Sequence, residues 1–390
     1  MKRPFALLLT VCVFLTLTPH ACAAPNTSAE SAILIDAADG EILYEKNTDT
    51  PLPMASTTKI MTALIVLENA DLSQMVTVPK EAVGVEGSSA YLYAGERILL
   101  RDLVFALLLQ SANDAAEALA ILTEKSVDAF VSKMNEKADR LGMTNTHFSN
   151  PHGLPAEGHH STANDMAKLM QAALDNPEFL AISGAKNHTT ASTKGGTQHY
   201  FRNHNRLLTD YDSCIAGKTG YTKVAGRCLV TAAEQNGARL VCVTLSAPDD
   251  WNDHKTLFEY GFSLYQEHLL YHAGELSLTL PVVGGTATAV KAQSIQEVRA
   301  TLRTKESVAV HYEAAHFVYA PVFGLDRLPE NAPSPPDGMC AGVAVISQGD
   351  HELFRIKLYY TNSVDEYIPP TLWERILQFF GWKKSESKNS

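Results

Sequence analysis

The 390-residue chain predicts an α/β (α+β) fold, in which an antiparallel sheet encloses a helical subdomain and a small all-β domain follows. Three observations carry that prediction. Strand-like segments lie at both ends of residues 24–270, and helical periodicity fills the middle. From residue 275 onward the pattern changes to short, alternating, β-branched runs. A hydrophobic content of 45% provides for a large core and more than one domain.

Taken in order, MKRPFALLLTVCVFLTLTPHACAA reads as an export signal over residues 1–23. Lys2 and Arg3 supply the positive start, residues 4–18 are uncharged and mostly apolar, and Ala21-Cys22-Ala23 offers a cleavage site. The run falls short of the roughly 20 residues of a membrane span. Lipid attachment at Cys22 is the weaker reading, because Pro19 stands where an aliphatic residue belongs. SAILIDAADGEILYEK then predicts a hairpin turning at Asp39-Gly40. In PLPMASTTKIMTALI, the residues Ile60, Met61, Ala63, Leu64, Ile65 and Leu67 are apolar on nearly every side, as in a buried helix. Helical spacing continues in Leu103, Leu107, Leu108 and Ala112, and again in Met166, Leu169, Met170 and Ala173. GKTGYT, RCLVTAA and ARLVCVTLSA predict strands, and HKTLFEYGFSLYQEH predicts a helix that closes the first domain at residue 270.

GELSLTLPVVG, ATAVKAQ, VRATLRT, SVAVHYEA, GVAVIS and ELFRIKLYY predict the strands of a second domain over residues 271–365. The proline-rich LPENAPSPPDG is read as an exposed loop within it. The tail, 366–390, predicts an amphipathic helix starting at Pro369-Pro370. Leu372, Trp373, Ile376, Leu377 and Phe380 share one face, Phe379 widens it, and Trp382, Lys383 and Lys384 close it. That pattern fits a helix lying at a membrane surface; the alternative is a helix docked on its own domain.

A formal net charge of −11 argues against nucleic acid as a partner. Cys214, Cys228, Cys242 and Cys340 remain beyond the signal, and no disulfide follows from their spacing. The histidines include no HExxH, and His152, His159 and His160 read as loop residues, so no metal or cofactor is expected.

The chemistry begins with Ser56, one helical turn before Lys59. A serine hydroxyl is a weak nucleophile until a base takes its proton. Lysine serves as that base once burial and a neighbouring positive charge lower its pKa. Ser-x-x-Lys alone is a weak signal, because Ser183–Lys186 and Ser385–Lys388 also satisfy it. Ser111-x-Asn113 and Lys218-Thr219-Gly220 follow Ser56–Lys59 in the order a Ser/Lys acyl-transfer enzyme uses. Lys218 is the natural second cation. The bland readings are a helix cap at Ser56 or Asn113 and a turn at Lys218.

PMASTTKIMTAL, LLLQSANDAAEALA and AGKTGYT resemble the three signature blocks of the low-molecular-mass penicillin-binding D-alanyl-D-alanine carboxypeptidases. NPHGLPAEGHHSTANDMAKLM and RNHNRLLTDYDSC are similar to that family too, and the β domain and tail match its layout. Ala216-Gly217 before the lysine departs from the family's usual glycine and aliphatic residue, and a small backbone adjustment is expected. The resemblance implies a transpeptidase/β-lactamase-like catalytic fold, an acyl-enzyme on Ser56, Lys59 as base and Ser111 as proton relay. It implies that Asn113 holds substrate peptide groups, that Lys218 and Thr219 bind the terminal carboxylate, that Gly220 and Tyr221 also contact substrate, and that the backbone N–H groups of Ser56 and Tyr221 form the oxyanion hole. The implied partners are a peptidoglycan stem peptide and β-lactam inhibitors, with the protein secreted to the outer membrane face. A β-lactamase, a DD-endopeptidase or an inactive wall-binding protein are the alternatives; a β-lactamase would need a carboxylate such as Glu157 to activate water.

Overall fold

A computed structural model describes residues 24–190, 198–303, 308–329, 332, 334–349 and 351–379. Residues 1–23, on which the expectation of an export signal falls, lie outside them. The chain divides into two compact units, the first ending at Ser263 and the second starting at Leu264.

The first unit opens with strand β1 (Ser31–Asp36) and β2 (Ile42–Lys46), turning through Gly40 at φ 75°. A short 3-10 turn, Ala55–Thr58, feeds α1 (Lys59–Asn69). Two short strands, β3 (Met75–Thr77) and β4 (Arg97–Leu99), pair ahead of α2 (Leu100–Leu108). Then come α3 (Asn113–Glu124), α4 (Val127–Arg140), α5 (Ala163–Leu174) and α6 (Pro177–Ser183). A small hairpin, β5 (Asn187–Thr189) with β6 (Tyr200–Arg202), leads to α7 (Leu207–Asp210). The chain returns to the sheet in β7 (Cys214–Thr222), β8 (Gly226–Gln235) and β9 (Ala238–Leu245), then ends the unit with α8 (Asp250–Ser263).

The sheet order is β2-β1-β9-β8-β7, so strands from both chain ends of the unit meet at β1 and β9. Every residue of β1 is buried, as expected for an interior strand covered on both faces. The helical residues picked out by periodicity form one core: Leu103, Leu107, Met166, Leu169, Met170 and Ala173 are all fully buried, together with Ile60, Met61 and Ala63. That core holds α1 from all sides and fixes its first residue, Lys59, in the interior.

The second unit contains β10 (Gln266–Tyr271), β11 (Ser277–Val283), β12 (Ala289–Gln293), β13 (Val298–Leu302), β14 (Val308–Ala314), β15 (Val318–Tyr319), β16 (Cys340–Gln348) and β17 (His351–Tyr360). One sheet runs β14-β16-β17-β12-β11-β15, and β10 pairs with β13. Each of the six expected strand segments is present. The helix expected in HKTLFEYGFSLYQEH begins earlier, at Asp250, and ends earlier, at Ser263, where the two units also divide. QEHLLY forms β10, with Gln266 opposite Leu302 and Leu269 opposite Arg299, and Leu270 enters the second unit's core. Burial against a β partner here overrides a helical reading of the local sequence.

The tail helix, α9 (Leu372–Phe379), is capped by Thr371 and Glu374. The Thr371 N–H donates to the Glu374 carboxylate at 2.8 Å and the Glu374 N–H donates to Thr371 Oγ1 at 3.4 Å. Leu372, Trp373 and Phe379 are exposed. Phe380, Trp382, Lys383 and Lys384 lie outside the described residues. No helix among the described residues is long and apolar enough to cross a membrane.

Candidate active site

Three segments far apart in sequence converge at the N-terminal end of α1. Ser56 sits in the 3-10 turn behind Ala55, whose φ of 48° is a strained value for a non-glycine residue. Neither Ser56 nor Asn113 caps a helix with its side chain. Ser111, also at positive φ (59°), projects from the link between α2 and α3, and Asn113 opens α3. Lys218, Thr219, Gly220 and Tyr221 lie inside β7 rather than in a turn, and β7 is an edge strand of the sheet. Between Cys214 and Ala216 the β7–β8 register shifts, just ahead of the Ala216-Gly217 departure.

Lys59 Nζ stands 2.9 Å from Ser56 Oγ, 2.7 Å from Asn113 Oδ1 and 2.6 Å from the His152 carbonyl. Asn113 Nδ2 donates to the Glu86 carbonyl, which fixes the amide so that its oxygen faces the lysine. Two of the three partners are therefore obligate acceptors. A neutral amine has two N–H bonds for them and keeps its lone pair for the Ser56 hydroxyl. Burial, then the positive charge of Lys218, holds the Lys59 pKa well below the ordinary lysine value. The Asp114 carboxylate, which accepts from Ser89 Oγ and the N–H groups of Ala90 and Leu92, opposes this as the smallest of the three effects. Lys218 Nζ donates to Ser111 Oγ at 2.9 Å and to the Thr219 carbonyl at 2.8 Å, and burial brings its pKa down to about 7. Tyr221, next along β7, is 67% exposed, so the site opens to solvent there.

Backbone contacts complete the site. Gly220 passes so close to the turn that a Cβ would lie 3.0 Å from the Ser56 nitrogen. At Gly153, φ is +90° and a Cβ would come within 2.0 Å of the Ala55 carbonyl. The loop carrying Gly153 is tied to α1 by Thr62 Oγ1, which donates to the Pro151 carbonyl at 2.6 Å. Behind it, Ser149 N–H donates to His159 Nδ1 at 2.9 Å, so that nitrogen is unprotonated. His159 Nε2–H then donates to Thr58 Oγ1 at 2.9 Å, and Thr58 donates onward to the Ala55 carbonyl. Burial, with the surrounding histidines, lowers the His159 pKa to about 4, consistent with this neutral form.

The loop's contribution is not legible in the sequence, because the group that touches Lys59 is a main-chain carbonyl. Only the punctuation in Asn150-Pro151-His152-Gly153 marks a fixed turn there. Among the described residues no cluster of three His, Cys, Asp or Glu side chains is placed to hold a metal. Cys214, Cys228, Cys242 and Cys340 are free thiols.

The family model described as D-alanyl-D-alanine carboxypeptidase (peptidase S11) matches residues 18–249. The D-alanyl-D-alanine carboxypeptidase DacF of Bacillus subtilis is 34% identical over 302 residues, covering 73% of this chain and 77% of the relative. Among solved structures, D-alanyl-D-alanine carboxypeptidase DacD from Francisella tularensis superposes with a TM-score of 0.60 at 26% identity, over 88% of this chain and 95% of its own. A mutant of Streptomyces K15 DD-transpeptidase gives 0.59 at 33% identity, over 61% of this chain and 99% of its own. The chain belongs to the D-alanyl-D-alanine carboxypeptidase family of serine peptidases.

Proposed function

We propose that Ser56 is the nucleophile of this serine-type D-Ala-D-Ala carboxypeptidase and that Lys59 is its base. The observation that carries the assignment is the 2.9 Å contact between Lys59 Nζ and Ser56 Oγ, with the other two contacts of the amine taken by fixed acceptors. In this reading Ser56 Oγ attacks the carbonyl of the penultimate D-alanine of a stem peptide while its proton passes to Lys59. The dipole at the start of α1 favours the developing oxyanion. The N–H groups of Ser56 and Tyr221 receive it. As the C–N bond breaks, Ser111 gives a proton to the leaving D-alanine and is replenished by Lys218. Water then adds to the ester, its proton taken by the Ser111–Lys218 pair, and Lys59 returns its proton to Ser56 Oγ. A pKa of about 7 suits Lys218 to both directions of that exchange.

Protonated Lys218, with Thr219 and Gly220, receives the terminal carboxylate, a charge-assisted contact worth about 1.5–3 kcal/mol. Asn113 holds the substrate's amide groups, and the open edge of β7 offers main-chain partners to the peptide. A β-lactam meets the same serine. We further propose export by the leader and attachment of the tail to the outer face of the membrane. The exposure of Leu372, Trp373 and Phe379 supports the attachment. The test is Ser56→Ala: covalent labelling by a fluorescent penicillin and release of free D-alanine should both vanish. Labelling that survives would move the nucleophile elsewhere.

A further inference from the structure

Outside the catalytic residues, the β5–β6 hairpin and α7 line a polar, partly open cleft of about 280 Å³. Its lining includes Lys186, Asn187, Tyr200, Arg202, Arg206 and Asp210. Arg206 is paired with Asp210 at 3.2 Å. Among the described residues, Lys186 and Arg202 have no acidic partner, in a protein whose formal net charge is −11. Asn187 and Arg202 face each other across the hairpin, and Tyr200 lies on the same face as Arg202, two residues along β6 and 63% exposed. The inner wall is rigid. Asn203 Nδ2 donates to the carbonyls of Ser183 and Ala185, and buried Asn205 accepts from the Leu207 N–H through Oδ1.

Two unpaired cations, one of them a guanidinium fork, beside the Asn187 amide and a flat exposed phenol form a receptor for an anionic group carried on a polyol. The volume admits one sugar ring, not a drug-sized ligand. We propose that this cleft binds an anionic saccharide unit of the wall, one whose carboxylate is free because no stem peptide is attached to it or one that bears a phosphate. It is a second contact with the wall, separate from the peptide held at Ser56. The binding does not depend on which residues carry the catalysis.

The test uses the full chain and three probes in an NMR or calorimetric titration: N-acetylmuramic acid, glucose 6-phosphate and uncharged N-acetylglucosamine. At least one anionic probe should bind about tenfold tighter than N-acetylglucosamine, and the preferred probe identifies the source of the charge. Lys186→Gln with Arg202→Gln should weaken that binding about tenfold or more, while the rate of penicillin acylation, which reports an intact fold, stays unchanged. The proposal is overturned if the anions bind no better than N-acetylglucosamine or if the double variant binds as well as the parent. It is also overturned if no probe saturates by about 50 mM, a concentration at which even weak sites fill.

Discussion

Lys59 and Lys218 in the first unit and Lys357 in the second carry the same side chain to opposite ends. The first two are buried, make their contacts with neutral oxygens and have their pKa values pulled down by burial. Lys357 lies on the outer face of a sheet, 2.8 Å from Asp337, and that hydrogen bond raises its pKa. A lysine with a carboxylate beside it stays a cation and does electrostatic work only. A lysine denied both water and a carboxylate becomes an amine with a usable lone pair. The first unit achieves this by giving both amines only hydroxyl, amide and carbonyl oxygens as direct partners: Ser56, Asn113 and His152 for Lys59, Ser111 and Thr219 for Lys218.

The largest break in this comparison is Lys59→Ala. Penicillin acylation and D-alanine release should fall by roughly 10²–10⁴ or more while non-covalent binding changes little. Stopped-flow acylation separates the two, and a normal acylation rate would remove the lysine from the mechanism. Next in size is Gly153→Ala. A Cβ at 2.0 Å from the Ala55 carbonyl forces the loop off the turn that carries Ser56, and with it the His152 carbonyl that Lys59 needs. Acylation should drop by more than about tenfold with the far-ultraviolet spectrum unchanged. Near-normal acylation would mean the loop does not set the geometry.

A third test sharpens the role of charge at Lys218. With a pKa of about 7, Lys218 loses its proton as pH rises through neutrality, so kcat/KM for a substrate with a free carboxylate should decline above about pH 7. An amide-ended substrate should show a smaller decline, from the Ser111–Lys218 proton relay alone, and Lys218→Ala should erase the difference between the two. Stability runs the other way. The unfolded chain keeps the ordinary lysine pKa of about 10.4 and so binds more protons than the native state between about pH 7 and 10.4. Lys218 therefore makes the fold more stable as pH rises through that window. Identical pH profiles on both substrates would leave Lys218 without a carboxylate to bind.

The parts of the site that lie in side chains were open to sequence reasoning, because Ser56, Lys59, Ser111, Asn113 and Lys218 each bring a chemistry that only their residue type supplies. The parts made of backbone were not. Nothing in the letter His152 says that its carbonyl, not its ring, meets Lys59 at 2.6 Å. Gly153 and Gly220 read as ordinary turn and strand residues until the close approach of another main chain is known. In the fold, periodicity located the helices packed around α1 and the six larger strand runs of the second unit. It missed β10 because QEHLLY takes its conformation from Val298–Leu302, some thirty residues away. It also placed the start of the tail helix at the two prolines, where Thr371 and Glu374 supply the cap.

The smallest expected effect is the informative control. Lys357→Ala removes a lysine whose side chain is 53% exposed and whose partner, Asp337, is 90% exposed. Water and salt screen such a pair, and the entropy of holding a long lysine side chain in one geometry offsets what attraction remains. Thermal midpoint, penicillin acylation and D-alanine release should therefore match the parent, at low salt as well as high. The contrast with Lys59→Ala isolates burial as the property that makes a lysine chemical, since the two substitutions delete the same atoms. A clear loss of stability in Lys357→Ala would show that the surface pair is held more tightly than its exposure allows. Environment alone would then fail to separate the two lysines.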